Sequence, residues 1–489
     1  MTIAAFKVDP RDDVAATLRN IAVGEQLLGV TAAQDIPRGH KIALHDIREG
    51  QPVLKFGFPI GHATRAIGAG EHVHTHNVAT ALAGSSAYLY SPSFDPAAAH
   101  TTPTFQGYVR PDGRVGTRNE IWVLPTVGCV ARTASKIAEI AGRKAAGRVD
   151  GVHAFTHPFG CSQLSEDLEG TRDILAALAS HPNAGGVLIV GLGCESNQLD
   201  QLIAEADPGA RGHIRTLTAQ LAGDEVEEGV ALVEELIALA AVAHRSEVPL
   251  SKLVLGVKCG GSDGLSGLTA NPLVGRMSDA VTAAGGISVL TEIPEIFGAE
   301  QILMMRAADE QVFGEVVELV NGFKRYFTDH GEPVSENPSP GNIAGGITTL
   351  EEKSLGAVQK AGRAIVTDVR HYGERVRQPG LTLLEAPGND AVSSTALAAA
   401  GATAILFTTG RGTPLGFPVP TIKIASNSEL AARKPGWIDF DAGRVLEDGM
   451  DKTADALLDT VVAVASGKET AAERNGEREI AIWKRGVTL

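Results

Sequence analysis

Leu253-Val-Leu-Gly-Val-Lys-Cys-Gly-Gly-Ser-Asp-Gly-Leu-Ser-Gly267 is an apolar run that turns abruptly into a glycine-rich loop. Gly185-Gly-Val-Leu-Ile-Val-Gly-Leu-Gly-Cys-Glu-Ser-Asn197 repeats the pattern. A short, wholly apolar run closed by glycines reads as a strand buried on both faces, as in a parallel sheet covered by helices. Working outward, Ile121-Trp-Val-Leu-Pro precedes a helical stretch over 131–145, and Val152-His-Ala-Phe leads through a loop into a helix over 165–180. Ile214-Arg-Thr-Leu precedes a long helix over 226–244. Strands alternating with amphipathic helices predict an α/β fold built from βαβ units. A second series follows residue 360: Ala364-Ile-Val-Thr-Asp-Val, Leu381-Thr-Leu-Leu-Glu-Ala, Ala402-Thr-Ala-Ile-Leu-Phe and Thr421-Ile-Lys-Ile-Ala.

Residues 1–92 differ. Lys41-Ile-Ala-Leu, Pro52-Val-Leu-Lys-Phe-Gly and His62-Ala-Thr-Arg-Ala-Ile are short, alternating and punctuated by Gly and Pro, which predicts a small β-rich domain. The Pro-, Ser- and Thr-rich stretch over 93–107 predicts a linker, 108–335 an α/β catalytic domain, and 336–489 a C-terminal Rossmann-like α/β domain. Asn337-Pro-Ser-Pro-Gly-Asn-Ile-Ala-Gly-Gly, irregular and polar, is the kind of long loop that carries function.

Composition narrows the class. With 56 glycines and 4% aromatic residues, the chain suits tight strand-to-helix turns better than a β-sandwich. A net charge of -15 gives no electrostatic footprint for nucleic acid. No run is long and apolar enough to span a membrane, and the first residues lack a basic segment followed by an apolar one, so a cytoplasmic location is expected. Large enzymes of this kind are commonly oligomeric, and a homodimer is the expectation. Four cysteines form no disulfide framework. All four, Cys129, Cys161, Cys194 and Cys259, lie in or beside glycine-rich junctions, where open α/β sheets build ligand sites. Their separations of 32, 33 and 65 residues match no compact iron–sulfur motif. Each also reads as a small core hydrophobe.

Five groups can carry chemistry. Glu71-His-Val-His-Thr-His-Asn77 places His72, His74 and His76 at alternating positions, where imidazoles on one strand face can share a divalent ion. An exposed edge strand is the other reading. Cys161 and Cys259 join the histidines as candidate metal ligands. The loop from Cys259 to Gly267 exposes backbone N–H groups to an anion, with Ser262 as a substrate contact and Asp263 as a metal ligand or base, or else it is a turn capping a helix. Thr408-Thr-Gly-Arg-Gly-Thr-Pro sets Arg411 between glycines, where it can clamp a carboxylate. Glu292 and Glu295 follow the strand Ile287-Ser-Val-Leu, as a base, metal ligands or helix-start carboxylates. Gly113-Arg-Val-Gly-Thr-Arg-Asn-Glu offers Arg114 and Arg118 to an anion or forms a solvated turn. Acid-binding groups, metal ligands and no dinucleotide or nucleotide box fit dehydration of a polyhydroxy acid. Proton removal beside a carboxylate needs a base and an electrophile.

Gly70-Glu-His-Val-His-Thr-His-Asn, Arg114-Val-Gly-Thr-Arg-Asn-Glu, Leu124-Pro-Thr-Val-Gly-Cys, Gly160-Cys-Ser-Gln, Gly191-Leu-Gly-Cys-Glu, the Cys259 loop, Glu336-Asn-Pro-Ser-Pro-Gly-Asn, Ala386-Pro-Gly-Asn-Asp and Thr409-Gly-Arg-Gly-Thr-Pro run through nearly the whole chain in order. On these segments the chain resembles the altronate/galactarate dehydratase family of sugar-acid hydro-lyases. The resemblance implies an N-terminal SAF-type β domain, a large catalytic region, a divalent metal (Fe²⁺ or Mn²⁺), and conversion of D-altronate to 2-dehydro-3-deoxy-D-gluconate. Galactarate, or lyase chemistry on sulfolactate, is the alternative within the scaffold. It further implies His74, His76 and Asn77 at the active site opposite the Cys and Gly-Gly-Ser-Asp loops, with Asn389 among the substrate-binding groups. The general base does not follow from it.

Overall fold

The computed structural model describes residues 3–97 and 103–489. The expected β-rich N-terminal domain is there. A four-stranded antiparallel sheet runs in the order Ala5–Phe6, Val14–Thr17, Lys41–Ala43, His72–Val73. A second sheet joins Pro52–Lys55, Phe58–Ala63 and Val78–Ala79. Alternation along these strands buries Ile42, Val53, Ile60 and Val73 inside the domain.

The body holds two parallel sheets. The first takes the order Gly151–Ala154, Glu120–Pro125, Ala184–Gly191, Ile214–Thr218. Helices Ala131–Ala145 and Glu225–Ala240 cover it, burying Ile137, Ala141, Val233 and Leu236 against Ile121 and Leu188. The second sheet has seven strands: Val366–Arg370, Gly380–Leu384, Ile287–Leu290, Val254–Cys259, Ala404–Thr409, Thr421–Ala425, Phe440–Asp441. All its pairings are parallel. The chain enters at the central strand Val254–Cys259, builds one flank, and returns on the other side with Ala404–Thr409. The loop after the central strand therefore opens at the point where the winding direction reverses, the usual ligand position in such sheets.

Two boundaries move. The seven-stranded sheet draws strands from both sides of residue 336, so 336 divides nothing: one core cannot be cut between paired strands. The division falls before residue 250, where Ser246–Pro249 pairs with Thr104–Val109. That pairing also shortens the expected 93–107 linker, because Thr104–Val109 is a strand with Phe105 buried; residues 98–102 of the linker lie outside the described residues. Among the described residues no helix is long and apolar enough to cross a membrane.

The N-terminal domain meets the body backbone to backbone. Across the contact, a Cβ on Gly264 would stand 1.8 Å from Gly39 O, while on the body side the Gly264 N–H donates to Gly345 O at 2.8 Å. A Cβ on Gly346 (φ +101°) would stand 2.3 Å from the same Gly39 oxygen. Gly264→Ala therefore forces the domains apart. The expected result is a loss of about 1–3 kcal/mol, typical of overpacking, read as an earlier denaturant transition, together with loss of turnover.

Candidate active site

The site lies at that domain contact. The turn before Lys41–Ala43 is closed by Gly39 (φ +82°), and its N–H donates to Thr17 O. It delivers His40 to the sheet. Lys41–Ala43 pairs with His72–Val73 in the register Ile42↔His72, which brings His40 beside the His72 segment. Buried Asn77 fixes the next turn: its Nδ2 donates to His72 O at 3.0 Å and its Oδ1 accepts from His74 N at 2.9 Å. His40 Nδ1 stands 3.0 Å from His72 Nε2, and the His72 and His74 rings stack at 5.4 Å. Donor atoms of His40, His72 and His74 all lie within 4.8 Å of one another. Burial, then neighbouring positive groups, pushes His72 down to about 3 and His74 to about 4, and lowers His40. Three neutral imidazoles with converging lone pairs are the donor set of a first-row metal ion.

The body supports this triad. His74 Nδ1 lies 3.1 Å from Thr348 Oγ1, which orients the ring. The Thr348 N–H donates to Glu352 Oε2 at 2.8 Å. Glu352, on helix Leu350–Ala357, sits between two buried lysines of the N-terminal domain, Lys41 at 2.9 Å and Lys55 at 2.7 Å. Although burial opposes its charge, the two ammonium groups hold Glu352 down to about 2. Beside Gly39, a polar cavity of ≈ 390 Å³ opens between the domains, lined by Arg38, Asp263, Gly345, Arg411 and Arg433 among others. Glu429 also lines it and pairs with Arg38 at 3.5 Å and Arg433 at 3.2 Å, which leaves Arg411 as the guanidinium best placed to take a carboxylate.

A second polar group lies buried at the end of the central strand. Cys259 Sγ is 3.1 Å from Glu295 Oε2 and accepts from Lys360 Nζ at 2.9 Å. Lys353 binds Glu295 Oε1 and Asn337 Oδ1, both at 2.8 Å, and Lys258 binds Glu292 at 2.9 Å and Asp390 at 2.8 Å. Cys259, Glu292 and Glu295 are close enough to share an ion. Three ammonium groups already neutralise the cluster, so its charge does not fit a further dication. Burial pushes the Cys259 thiol up to about 12 and Glu292 to about 7; Glu292 also holds a left-handed backbone (φ +66°), a strain found where the surroundings over-determine a residue.

The expected site residues therefore divide. His72 and His74 join the triad, and His76 stands exposed beside it, 5.4 Å from His72 ring to ring. Arg411 lines the cavity. Cys259 and Glu292 belong to the buried lysine network, and Cys161 lies exposed on the four-stranded sheet's loops, so the expected five-residue ligand set occupies three separate places. Asp263 organises its own loop, with Oδ1 accepting from Leu265 N, Ser266 and Ser426 Oγ and Oδ2 from Asn427. Ser262 is buried, its carbonyl bound by Asn342. Asn389 caps helix Asp390–Ala399. Arg118 is buried in a two-pronged pair with Glu473 (2.8 and 2.9 Å), and Arg114 pairs with Asp112 and Ser180 O. Neither arginine lines the cavity: Gly113-Arg-Val-Gly-Thr-Arg is a structural clasp between segments distant in sequence. Sequence reading missed His40, Thr348, Glu352, Arg38 and Arg433. The turn Pro37-Arg-Gly-His-Lys41, with two basic residues and a histidine around a glycine, was the one local signal.

Three family models match in order: the altronate/galactarate dehydratase SAF domain over residues 3–81, the D-galactarate dehydratase/altronate hydrolase second domain over 107–241, and the D-galactarate/altronate dehydratase C-terminal domain over 250–488. The chain belongs to the altronate/galactarate dehydratase family. The SAF match covers the histidine triad, and the step from 241 to 250 falls where the two parallel sheets part. Within the family the chain is 50% identical to the altronate dehydratase of Bacillus subtilis (strain 168) over 493 residues, 99% of each chain. It is 50% identical to the altronate dehydratase of Escherichia coli (strain K12) over 495 residues, again 99% of each. The galactarate dehydratase (L-threo-forming) of Escherichia coli (strain K12) is 33% identical over 486 residues, 95% of this chain and 93% of that protein.

Proposed function

We propose that this protein is a hydro-lyase that dehydrates D-altronate to 2-dehydro-3-deoxy-D-gluconate, using a divalent ion held by His40, His72 and His74. The observation that carries the substrate is the 50% identity, over 99% of both chains, to two altronate dehydratases, against 33% to a galactarate dehydratase. The metal reading rests on the neutral imidazole triad. Imidazole donors suit Fe²⁺, with Mn²⁺ bound more weakly.

When bound, the ion supplies Lewis acidity at substrate oxygens. The chain does the rest. Arg411 brings positive charge to the acid's carboxylate, with Arg38 and Arg433 held beside it by Glu429. Exposed His76, 5.4 Å ring to ring from His72, is the side chain we assign to proton transfer. Loss of the proton next to the carboxylate and of hydroxide from the adjacent carbon leaves an enol, which tautomerises to the 2-keto-3-deoxy acid.

The test incubates chelator-treated protein with D-altronate, galactarate or sulfolactate, with and without Fe²⁺ or Mn²⁺, and measures 2-keto-3-deoxy acid. The expected result is metal-dependent product from D-altronate, with Fe²⁺ saturating at lower concentration than Mn²⁺. Product from galactarate alone moves the substrate within the family, and full activity after chelation removes the metal.

A further inference from the structure

The mechanism above leaves three cysteines unused, and the fold gathers them. Cys129, Cys161 and Cys194 follow Glu120–Pro125, Gly151–Ala154 and Ala184–Gly191, three neighbouring strands of the four-stranded parallel sheet, all at their C-terminal ends. The loops are tied together. The Gly128 N–H donates to Phe159 O at 2.9 Å, Asn197 N to Gly160 O at 3.0 Å, and Asn197 Nδ2 to Thr126 O at 3.2 Å. Every cysteine is thus within three residues of a backbone tie to another's loop. The approach is too close for side chains: a Cβ on Gly160 would lie 2.1 Å from Thr126 O.

All three thiols are free and exposed, unlike buried Cys259. Helices Ala131–Ala145 and Ser165–Ala179 start two and four residues beyond Cys129 and Cys161, so the positive ends of both helix dipoles lie at the sheet edge that carries the thiols. Three soft thiolates select zinc, copper(I) or an iron–sulfur core. A lone tetrahedral ion at about 2.3 Å from each sulfur needs the sulfurs within about 4 Å of one another. Among the described residues, donor groups that compact are the histidine triad and the Cys259 cluster, not these three thiols. Three thiols on backbone-tied loops, not gathered tightly enough for one ion, are the donors of a larger, polynuclear core.

We propose that Cys129, Cys161 and Cys194 hold an iron–sulfur cluster, with one iron left without a protein sulfur. One ligand arrives per βα crossover, which accounts for separations of 32 and 33 residues where compact motifs place ligands a few residues apart. Cys259 lies on a different sheet and takes no part. On assembly the three thiols release three protons to solvent, while ferrous and ferric iron in equal amounts and inorganic sulfide enter from outside the chain, so that no separate oxidant is needed.

The test uses the full-length protein, reduced and desalted anaerobically, then incubated with equal amounts of ferrous and ferric iron and with sulfide, and desalted again. The expected product shows broad visible charge-transfer absorbance with about four iron and four acid-labile sulfide per chain. Cys129→Ser, Cys161→Ser and Cys194→Ser, all at exposed positions, each lose the absorbance and the sulfide, whereas Cys259→Ser keeps both. Iron retained without sulfide, as at the histidine triad, overturns the proposal. So does sulfide content unchanged in the three variants. Neither readout depends on turnover, so failure here leaves the dehydratase reading untouched.

Discussion

His72→Ala and His74→Ala each lower kcat/KM on D-altronate by more than the roughly 10–100-fold that loss of an outer-sphere partner costs at a metal site. Each removes one of three imidazoles from a set already neutral at working pH, because burial pushes His72 to about 3 and His74 to about 4. Protonation therefore does not compete with the ion there until the medium is strongly acidic. Thr348→Val deletes only the hydroxyl 3.1 Å from His74 Nδ1, and its expected loss falls within that 10–100-fold range, with added metal restoring part of it. Rates measured against metal concentration separate the cases: the Ala variants fail at every concentration, whereas Thr348→Val shifts the curve. Full turnover in either Ala variant at stoichiometric metal removes the triad from the mechanism.

Glu352→Ala is the largest expected loss of stability. It leaves Lys41 and Lys55 buried, facing one another without their shared carboxylate. Removing one partner of a buried ion pair costs about 3–5 kcal/mol. Since Lys41 and Lys55 belong to the N-terminal domain and Glu352 to the body, the loss falls on the domain contact. It appears as an early unfolding transition and as lost activity, because Thr348 also loses its anchor. The same pair sets an acid limit. Glu352 sits at about 2 in the folded protein, below its ordinary 4.5. The unfolded chain takes up the proton first, so this stabilisation is complete above about pH 4.5 and is lost as pH falls toward 2. Glu352→Gln flattens that part of the stability-against-pH curve; an unchanged acid limb contradicts the assignment.

Much of the architecture was legible in local pattern. Gly185–Gly191 and Leu253–Val257 read as buried strands because both faces of a parallel sheet are covered, and the helix over 131–145 falls on Ala131–Ala145. The 336 boundary misled because a polar, proline-rich loop looks like a domain edge, although here it packs back onto the Cys259 loop through Asn342. Single-residue chemistry was less legible. His72 and His74 stood out by alternation, but their third partner, His40, arrives through an antiparallel register that no spacing encodes. Arg114, Arg118 and Asn389 carried the residue types of a binding site and form a clasp, a buried pair and a helix cap, while Asp263 both lines the cavity and organises its own loop. Polar side chains in glycine-rich turns hold turns together as readily as they hold ligands.

The most direct measurement titrates chelator-treated protein with Mn²⁺ in the presence of D-altronate, comparing the full chain with His40→Ala. The rate is expected to climb to a plateau at about one equivalent of ion per chain, and the His40→Ala protein to stay folded but need far more metal for any turnover. A His40→Ala protein that saturates at the same single equivalent with the same rate would contradict it.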